Sequence, residues 1–579
     1  MFDLIFGLLL LSAATAAAET DNDNVPRVEI SNRKIIGRYK TTFKGRKYEV
    51  YEGIPYCVPP IGEHRFDHPK RRYPNLYQGE LEATNSSYRC VQYVDVPPNE
   101  NGETPAGPGR VVGSEDCLYL SVNAPARQNK SQLLPVIAFI HGGSFQYGSG
   151  LPFASDNPYL MDRDVVFVAM NYRLNVLGFL STEDDNLPGN WGMKDQKAAL
   201  IWIHNEIEAF GGDPDRVILV GFSAGASSVQ YHYLSPHSRG LFHAGIAISG
   251  STLNPWGFAL NAREKTRKLA ALLNCPGTNE DDTRRMVECL KKKPAYELAA
   301  ATKDFQRWQF MPEAPFAPVV EQTHNDFPFI TRAPEELMRA KRINDVPIVF
   351  TTVSEEGCDP GAAYASHDNL LKQLNDHWLS LAPHVLQYNY TLPIWQHRFV
   401  ARFARHRYFG KKPIDAGSDK ALIRLLTDKH YLYDIERAAR MHAEASESPV
   451  YLYYYSFQSG QSRKIRSSDG IFAYSGVCHC DDMLLVTREP EIDIDAAKSK
   501  KALAMSNLLM DIWESVAYDR KPSVKGVEWL PIKATDRKTA FLHIRGPKDY
   551  GMSSSCNMGN KRFWDLFFDQ QILYDFEVK

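Results

Sequence analysis

Residues 216–225 read Arg-Val-Ile-Leu-Val-Gly-Phe-Ser-Ala-Gly, a short apolar run that leads into a serine set between two glycines. An apolar, β-branched run of this length predicts a buried strand. Gly221 and Gly225 allow the backbone to turn sharply, and the small side chains of residues 226–228 allow a following helix to pack closely on the strand. The stretch therefore predicts a strand, a tight turn and a helix that together raise the Ser223 hydroxyl out of the backbone.

Other apolar runs indicate that this strand belongs to a large sheet. Five further runs are rich in apolar and β-branched residues, namely 135–140, 164–170, 244–249, 346–350 and 449–455. Between the second of these and residue 216, the segment 194–210 places Ala199, Ile203, Ile207 and Phe210 at helical spacing. This order of strand, helix and strand predicts an α/β fold with a large central, mostly parallel sheet flanked by helices.

The composition favours a small-molecule substrate over a nucleic acid. The 579 residues include 67 Lys and Arg against 69 Asp and Glu, so the chain has almost no net charge. A protein that binds nucleic acid usually carries a marked excess of basic residues. We therefore expect no nucleic-acid partner.

The N-terminus has the pattern of a secretory signal. Residues 4–17 are largely apolar, and three alanines at 16–18 precede Glu19, which predicts a signal peptide at 1–18 and a mature single domain at 19–579. Asp3 stands where a basic residue is usual, so a buried or membrane-anchoring N-terminus is the alternative. No later apolar stretch is long enough to span a membrane, and residues 575–579 offer no lipid-anchor or retention signal. We expect a secreted, extracellular protein without a stable membrane anchor.

This route would expose nine cysteines to an oxidising compartment, and their odd number leaves at least one thiol free. Two pairs bracket loop-like segments, so we expect disulfides Cys90–Cys117 and Cys275–Cys289. The pairing of the other five cysteines is open, and a third disulfide among them is an alternative. Three sequons predict N-glycosylation, at Asn85, Asn129 and Asn389.

A serine nucleophile needs a base to accept its proton and an acid to orient that base. After a strand and turn of this kind, the chain order is serine, acid and then histidine. Glu355 and Glu356 follow the run 346–350, and His479 lies in the Gly-led segment 476–482. We assign Glu356 as the acid and His479 as the base, with Glu355 as the alternative acid.

Attack of a serine on a carbonyl carbon creates an oxyanion, which backbone N–H groups stabilise. His141-Gly142-Gly143-Ser144-Phe145 follows the run 135–140 and provides a flexible turn at a strand end. We expect the amides of Gly143, Ser144 and Ala224 to donate to the oxyanion. Each motif is weak alone, but their order along the chain favours a serine hydrolase.

These motifs resemble those of the type-B carboxylesterase and cholinesterase family, particularly its secreted insect-type esterases, along nearly the whole mature chain. The other matching stretches are 53–56 (GIPY), 115–120 (EDCLYL), 171–174 (NYRL), 189–192 (GNWG) and 210–217 (FGGDPDRV). The resemblance implies an α/β-hydrolase fold, the triad Ser223, Glu356 and His479, and the two disulfides named above. It also implies ion pairs Arg65–Glu115 and Arg173–Asp195. The implied reaction is hydrolysis of a small carboxylic ester without a metal or organic cofactor.

Departures from the family narrow the substrate. Phe222 stands where cholinesterases have Glu, and no Trp lies between Cys90 and Cys117 to bind a quaternary ammonium group, so a choline ester is disfavoured. Juvenile hormone esterases usually have Gln at the position of Phe222. This difference weakens a juvenile-hormone-esterase-like function but keeps it as an alternative. Ser144 replaces the commoner Gly or Ala, so its side chain would crowd a bulky acyl group.

Two other functions stay open at this point: a low-turnover member that sequesters hydrophobic esters, and a lipase that acts at an oil–water interface. Cys478-His479-Cys480 also suggests a metal or redox centre. Because alternate residues of an extended segment point to opposite faces, and no further ligand cluster stands nearby, we expect no metal site. Cys478 and Cys480 are then packing residues, and Asp481 and Asp482 are polar loop residues.

Overall fold

The computed structural model describes residues 25–31, 33–71, 79–84, 89–94, 110–127, 132–150, 157–309, 311–322, 327–461, 463–467, 470–487 and 494–569. The predicted signal peptide at 1–18 and the sequons at Asn85 and Asn129 lie outside these residues. Asn389 lies within them and is half-buried.

The described strands are β1 Arg27–Ile30, β2 Arg33–Ile36, β3 Arg38–Thr41, β4 Lys47–Pro55, β5 Gly79–Glu82, β6 Gln92–Val94, β7 Arg110–Val112, β8 Tyr119–Pro125, β9 Leu134–Ile140, β10 Val166–Met170, β11 Gly212–Phe222, β12 Ala244–Ile248, β13 Ile348–Val353, β14 Val450–Tyr455, β15 Arg463–Ser467, β16 Gly470–Tyr474, β17 Thr539–Gly546 and β18 Asp549–Ser555.

The described α-helices are α1 Asn175–Phe179, α2 Trp191–Glu206, α3 Ala224–Leu234, α4 Ala262–Leu272, α5 Arg284–Lys292, α6 Ala295–Ala300, α7 Pro334–Arg339, α8 Cys358–Ala365, α9 Asp368–Val385, α10 Ile394–Phe409, α11 Asp419–Thr427, α12 Tyr433–Ala445, α13 Asp481–Leu484, α14 Lys500–Asp519 and α15 Lys561–Phe568. Within the part of the chain that the structure describes, no helix is both long and apolar enough to cross a membrane.

The central sheet has 11 strands in the order β18-β17-β14-β13-β12-β11-β9-β10-β8-β4-β3. The pairs from β10 through β17 are parallel, whereas β18 at one edge and β8, β4 and β3 at the other pair antiparallel. The six runs predicted from the sequence are the strands β9 to β14. The expected α/β fold with a large, mostly parallel sheet flanked by helices is confirmed. The antiparallel strands at the two edges of the sheet were not predicted from the sequence.

Successive side chains of a central strand point to opposite faces of the sheet, and both faces are buried. This explains why the runs that predicted these strands are continuously apolar. In β9, Val136 and Ala138 pack into one hydrophobic cluster, whereas Ile137 and Phe139 pack into a second. Because helices cover both faces of a parallel sheet, side chains of both directions are buried. The sheet thus separates two hydrophobic layers.

The predicted helix 194–210 begins earlier than expected and changes character at its end. It consists of α2, Trp191–Glu206, followed by a 3-10 turn at Ile207–Phe210, and Gly211 ends it with a φ of 83°. This helix connects β10 to β11. The C-terminal ends of the parallel strands β11, β13 and β14 meet at one edge of the sheet, and the candidate site residues follow these ends.

Candidate active site

Ser223 stands at the sharp turn between β11 and α3. It has a φ of 56° and a ψ of −122°. A left-handed φ is unfavourable for a residue with a side chain and persists only where the surroundings fix it. A Cβ on Gly225 would lie 2.1 Å from the carbonyl oxygen of Ile140, and a Cβ on Gly221 would lie 2.4 Å from that of Gly225. The turn therefore needs both glycines, and main-chain contacts hold the strained serine.

His479 and Glu356 form a hydrogen-bonded pair. Nδ1 of His479 lies 2.6 Å from Oε2 of Glu356, whose carboxylate is fully buried. Oε1 of this carboxylate accepts hydrogen bonds from the Thr352 hydroxyl and the Val353 amide, each 2.9 Å long. Among the described residues, Nε2 of His479 is buried and has no hydrogen-bond partner. The carboxylate thus orients the imidazole and leaves Nε2 available to accept a proton.

The serine and the histidine lie at the same edge of the sheet, and two aromatic rings connect them. Gly250 lies against the Ser223 carbonyl and against the ring of Trp256. The ring of Tyr431 is 5.8 Å from that of Trp256 and 4.6 Å from that of His479. No hydrogen bond joins Ser223 to His479 in the described chain. The structure therefore brings Glu356 and His479 into contact and places Ser223 at the same edge of the sheet.

The loop after β9 lies against the serine. A Cβ on Gly142 would be 2.9 Å from Cβ of Ser223, so only glycine fits this position. Gly143 and Ser144 both have positive φ, at 107° and 52°. Within the described residues, no hydrogen bond uses the amide of Gly143, Ser144 or Ala224 as its donor. These three N–H groups are free to donate to a ligand beside the serine.

Glu355, the alternative acid, contacts the histidine segment in another way. Its amide donates to the Val477 carbonyl at 3.1 Å, and its Oε2 accepts from the Val477 amide at 3.0 Å. The Tyr474 hydroxyl donates to the same oxygen at 3.3 Å. Glu355 therefore joins two backbone segments, whereas the carboxylate on the His479 ring is that of Glu356.

A disulfide joins the same two segments. Cys358, two residues after Glu356, is bonded to Cys478, which immediately precedes His479, and both cysteines are fully buried. From the sequence, Cys478 is expected to be a packing residue and a third disulfide is an open alternative, because nothing in the sequence pairs cysteines that are 120 residues apart. The bond therefore corrects the assignment of Cys478 as a packing thiol.

The same cysteines belong to the cluster most similar to a metal site. The sulfur atoms of Cys358 and Cys478 and a carboxylate oxygen of Asp359 lie within 4.8 Å of one another. Sulfur binds metals as a thiolate, and two sulfurs bonded to each other offer none. The cluster is thus the environment of a disulfide.

Arg463 is a buried cation behind His479. Its Nη1 donates to the His479 carbonyl at 2.6 Å and to Asp481 at 3.0 Å, and its Nη2 donates to Asp359 at 2.9 Å. Asp359 lies in the segment of Glu356, and Asp481 lies in the segment of His479. The Arg463 guanidinium therefore bridges these two segments. Arg463 was not predicted from the sequence, because it lies in no motif and its three partners are distant from it along the chain.

Two buried carboxyl groups follow the histidine. Burial raises the pKa of Asp481 to about 7, against the opposing effect of the Arg463 charge. Burial also raises the pKa of Asp482 to about 6, and the Glu356 charge adds to that rise. The Tyr453 hydroxyl donates to Asp482 at 2.6 Å. The expectation that Asp481 and Asp482 are polar loop residues is wrong, because they form the buried helix α13.

The structure contains the other bonds that the sequence led us to expect. The two further disulfides are Cys90–Cys117 and Cys275–Cys289. The two ion pairs are Arg65–Glu115 at 2.6 Å and Arg173–Asp195 at 2.7 Å. Both pairs join residues distant in sequence and are shielded from water, so they fix the segments in which they lie.

Comparison with known proteins agrees with this geometry. The sequence profile of the carboxylesterase family matches residues 24–564 of the chain. The chain belongs to the carboxylesterase family. This carboxylesterase is a carboxylic ester hydrolase with an α/β-hydrolase fold, as the resemblance in the sequence predicted.

Its similarity extends over nearly the whole length of several insect proteins. The carboxylesterase is 41% identical over 563 residues to a carboxylic ester hydrolase of Bombus ignitus, with 97% of each chain covered. It is 39% identical to venom carboxylesterase-6 of Apis mellifera, which covers 97% of this chain and 98% of that one. It also resembles the crystal structure of juvenile hormone esterase from Manduca sexta with OTFP covalently attached, with a TM-score of 0.78, 25% identity, and coverage of 95% of this chain and 100% of that chain.

Proposed function

We propose that this carboxylesterase is a secreted serine esterase that hydrolyses small carboxylic esters through an acyl-enzyme, with Ser223, His479 and Glu356 as its triad. The observation that carries the proposal is the imidazole of His479, oriented by Glu356, with a buried and unpartnered Nε2. Such an imidazole can take the proton of a serine hydroxyl. The absence of a serine–histidine hydrogen bond is compatible with this role, because such contacts often tighten only when substrate binds.

In the acylation step, Oγ of Ser223 attacks the carbonyl carbon of the ester while Nε2 of His479 accepts its proton. The carbonyl electrons move to oxygen, and the amides of Gly143, Ser144 and Ala224 donate to the resulting oxyanion. When the carbon–oxygen bond to the alcohol breaks, Nε2 returns the proton to the leaving alkoxide. The product of this step is an acyl group on Ser223.

In the deacylation step, water replaces the alcohol. His479 removes a proton from the water as its oxygen attacks the acyl carbon, and the same three amides hold the second oxyanion. When this intermediate collapses, the bond between the acyl carbon and Oγ of Ser223 breaks, Nε2 returns the proton to Oγ, and the carboxylic acid leaves. Glu356 stabilises the imidazolium in both steps by accepting from Nδ1–H. Hydrolysis should slow at acid pH, because a protonated imidazole cannot accept a proton.

We also propose that the mature chain, residues 19–579, folds as one domain and acts outside the cell, with glycans at its sequons. The apolar segment 4–17 supports export. The three disulfides of the structure support an oxidising destination.

The proposal is tested by hydrolysis of p-nitrophenyl esters of increasing acyl length. Ser223→Ala should lower turnover by at least about a thousandfold, since residues of a triad act as a unit. Ser227→Ala is the matched control, because Ser227 is a buried serine of α3, the helix that follows Ser223, and its hydroxyl has no partner among the described residues. Folded Ser223→Ala protein with parental turnover would overturn the proposal. A single stoichiometric burst in the parent would instead indicate a sequestering protein.

A juvenile-hormone-like ester is the second candidate substrate, and the structural similarity to juvenile hormone esterase favours it. Hydrolysis of the methyl ester of a long terpenoid acid, followed by release of the acid, compares the two candidates. A much higher kcat/KM for that ester than for any p-nitrophenyl ester would favour the specialised function.

A further inference from the structure

One helix presents large apolar side chains to solvent. On α10, Ile394 is 84% exposed, Trp395 76%, Phe399 53% and Phe403 45%. Trp395, Phe399 and Phe403 follow one another at intervals of four residues, so they form a row on one side of the helix. The opposite side packs into the protein through Val400, Ala401 and Ala404. The aromatic row is therefore an outward face, not part of the core.

Two rings of the row contact each other and a neighbouring helix. The rings of Phe399 and Phe403 are 4.4 Å apart, and both contact the ring of Phe567 on α15. Single exposed apolar residues are common on protein surfaces, whereas a contiguous apolar patch usually marks an interaction site. The patch needs a partner with apolar character.

The surroundings of the row are strongly basic. Residues 394–412 include four Arg and two Lys, at 398, 402, 405, 407, 411 and 412, and contain no Asp or Glu. Arg398 and Arg402 are exposed and lie beside the aromatic row on the helix. Arg405 and Arg407 donate to the uncharged side chains of Asn375 and Asn560. The partner must therefore be anionic as well as apolar.

We propose that this aromatic–basic face, made of Trp395, Phe399 and Phe403 with Arg398 and Arg402, docks the esterase on an anionic lipid surface. Aromatic rings on a helix lying in the plane of a membrane enter the boundary between headgroups and acyl chains, while arginines reach the lipid phosphates. Docking would be peripheral and reversible, and it would hold the enzyme where apolar esters collect.

A second copy of the chain is a less suitable occupant. A two-fold contact brings the same patch of both copies together, so two strongly basic helices would lie side by side. Like charges opposed at an interface are unfavourable. A lipid surface satisfies both the apolar and the charge requirement.

The test is co-sedimentation of the secreted enzyme with phosphatidylcholine vesicles, with and without phosphatidylserine. The parent should bind the phosphatidylserine vesicles, more weakly as salt is raised. The double variant Trp395→Ser/Phe399→Ser should weaken binding by at least about tenfold. Arg398→Gln/Arg402→Gln should weaken it by roughly thirtyfold on the anionic vesicles only, since each arginine near such a surface contributes about fivefold.

Matched controls change the same residue types elsewhere. Phe327→Ser removes an aromatic ring that is 59% exposed, and Arg537→Gln/Lys538→Gln removes two exposed cations. Both should bind like the parent. Hydrolysis of a soluble ester should be unchanged in every variant, since none of these residues lies in the proposed catalytic site. An Asn389→Gln protein is assayed in parallel, so that a glycan on the neighbouring sequon cannot mask the face.

Two results would overturn the proposal. One is a parent protein, with and without Asn389→Gln, that stays in the supernatant with both kinds of vesicle. The other is a parent dimer that Trp395→Ser/Phe399→Ser converts to monomer without any change in vesicle binding, which would assign the face to a second copy. Because vesicle binding is measured without substrate, this test is independent of the proposed triad.

Discussion

The serine and the histidine of the proposed triad are held in place by different means. On the serine side, the turn after β11 and the loop after β9 are fixed by main-chain contacts that leave no room for a Cβ at Gly142, Gly221 or Gly225. On the histidine side, segments 355–359 and 477–482 are fixed by a disulfide, by Arg463 and by Glu355. Main-chain packing produces a short local motif, whereas side-chain links join residues that are far apart in sequence.

The largest expected effect distinguishes the two neighbouring carboxylates on the histidine side. Glu356→Gln should lower kcat by about a thousandfold to ten-thousandfold, because an amide cannot stabilise the imidazolium of His479. Glu355→Gln should lower it by less than about tenfold, because the amide oxygen can still accept from Val477. Steady-state kinetics with a p-nitrophenyl ester measure both values. A larger loss in Glu355→Gln would make Glu355 the acid.

The serine side should be intolerant of a single methyl group. In Gly225→Ala the added Cβ would meet the Ile140 carbonyl oxygen at 2.1 Å, so the turn must move. A displacement of about 1 Å at a nucleophile can lower kcat by roughly a hundredfold. Gly551→Ala is the control, because a Cβ there meets nothing within 4 Å. Kinetics and melting temperatures that are the same for both variants would show that main-chain packing does not fix the serine.

The disulfide on the histidine side should affect both stability and kcat. On the chain-entropy account, a bond across 120 residues contributes about 5 kcal/mol, and the bond between Cys275 and Cys289, across 14, contributes roughly 3 kcal/mol. Cys358→Ser/Cys478→Ser should also lower kcat by about tenfold with little change in KM, since the acid and base lose a link. Cys275→Ser/Cys289→Ser should lower only the melting temperature. Assays below the melting temperatures of both double variants separate the effect on kcat from the effect on stability. Equal kcat values for the two double variants would contradict a positioning role for the Cys358–Cys478 bond.

The smallest effect concerns pH. Asp482 has a pKa of about 6 in the folded protein, above the ordinary 3.8, because it is buried. The folded state therefore holds this proton more tightly, so the carboxyl favours folding at low pH and that contribution is lost as the pH rises through about 6. Asp482→Asn removes the titration. Its melting temperature relative to the parent should rise between about pH 5 and about pH 7.5, by the equivalent of about 1 kcal/mol.

A melting-temperature difference that is constant across this range would contradict the predicted titration of Asp482. On the serine side, burial lowers the pKa of His141, in the loop after β9, to about 4. There the unfolded state binds the proton more tightly, so acid pH destabilises the fold as the pH falls from about 6.5 toward 4. The two sides of the site therefore respond to acid in opposite directions.

The sequence predicted the centre of the fold well because the central parallel strands are buried on both faces. The antiparallel edge strands β3 and β18 produced no such signal, since their side chains are half-buried or exposed. The serine turn and the glycine loop were visible for a similar reason: close backbone packing requires glycine at fixed spacing. Arg463 and Cys358–Cys478 were not visible, because each acts through partners that only the folded chain brings near.

The disulfide between Cys358 and Cys478 makes a closed covalent ring of the chain between them, and the helix with the aromatic–basic face lies in that ring. Gly410, Lys411 and Lys412 are exposed at the end of this helix, where a trypsin-like protease would find two basic residues. A cut there would divide the polypeptide into two pieces, one carrying the acid and the other carrying the base. Both pieces would stay joined through sulfur, so nicked enzyme would keep its triad in one covalent unit until a reductant separates the fragments.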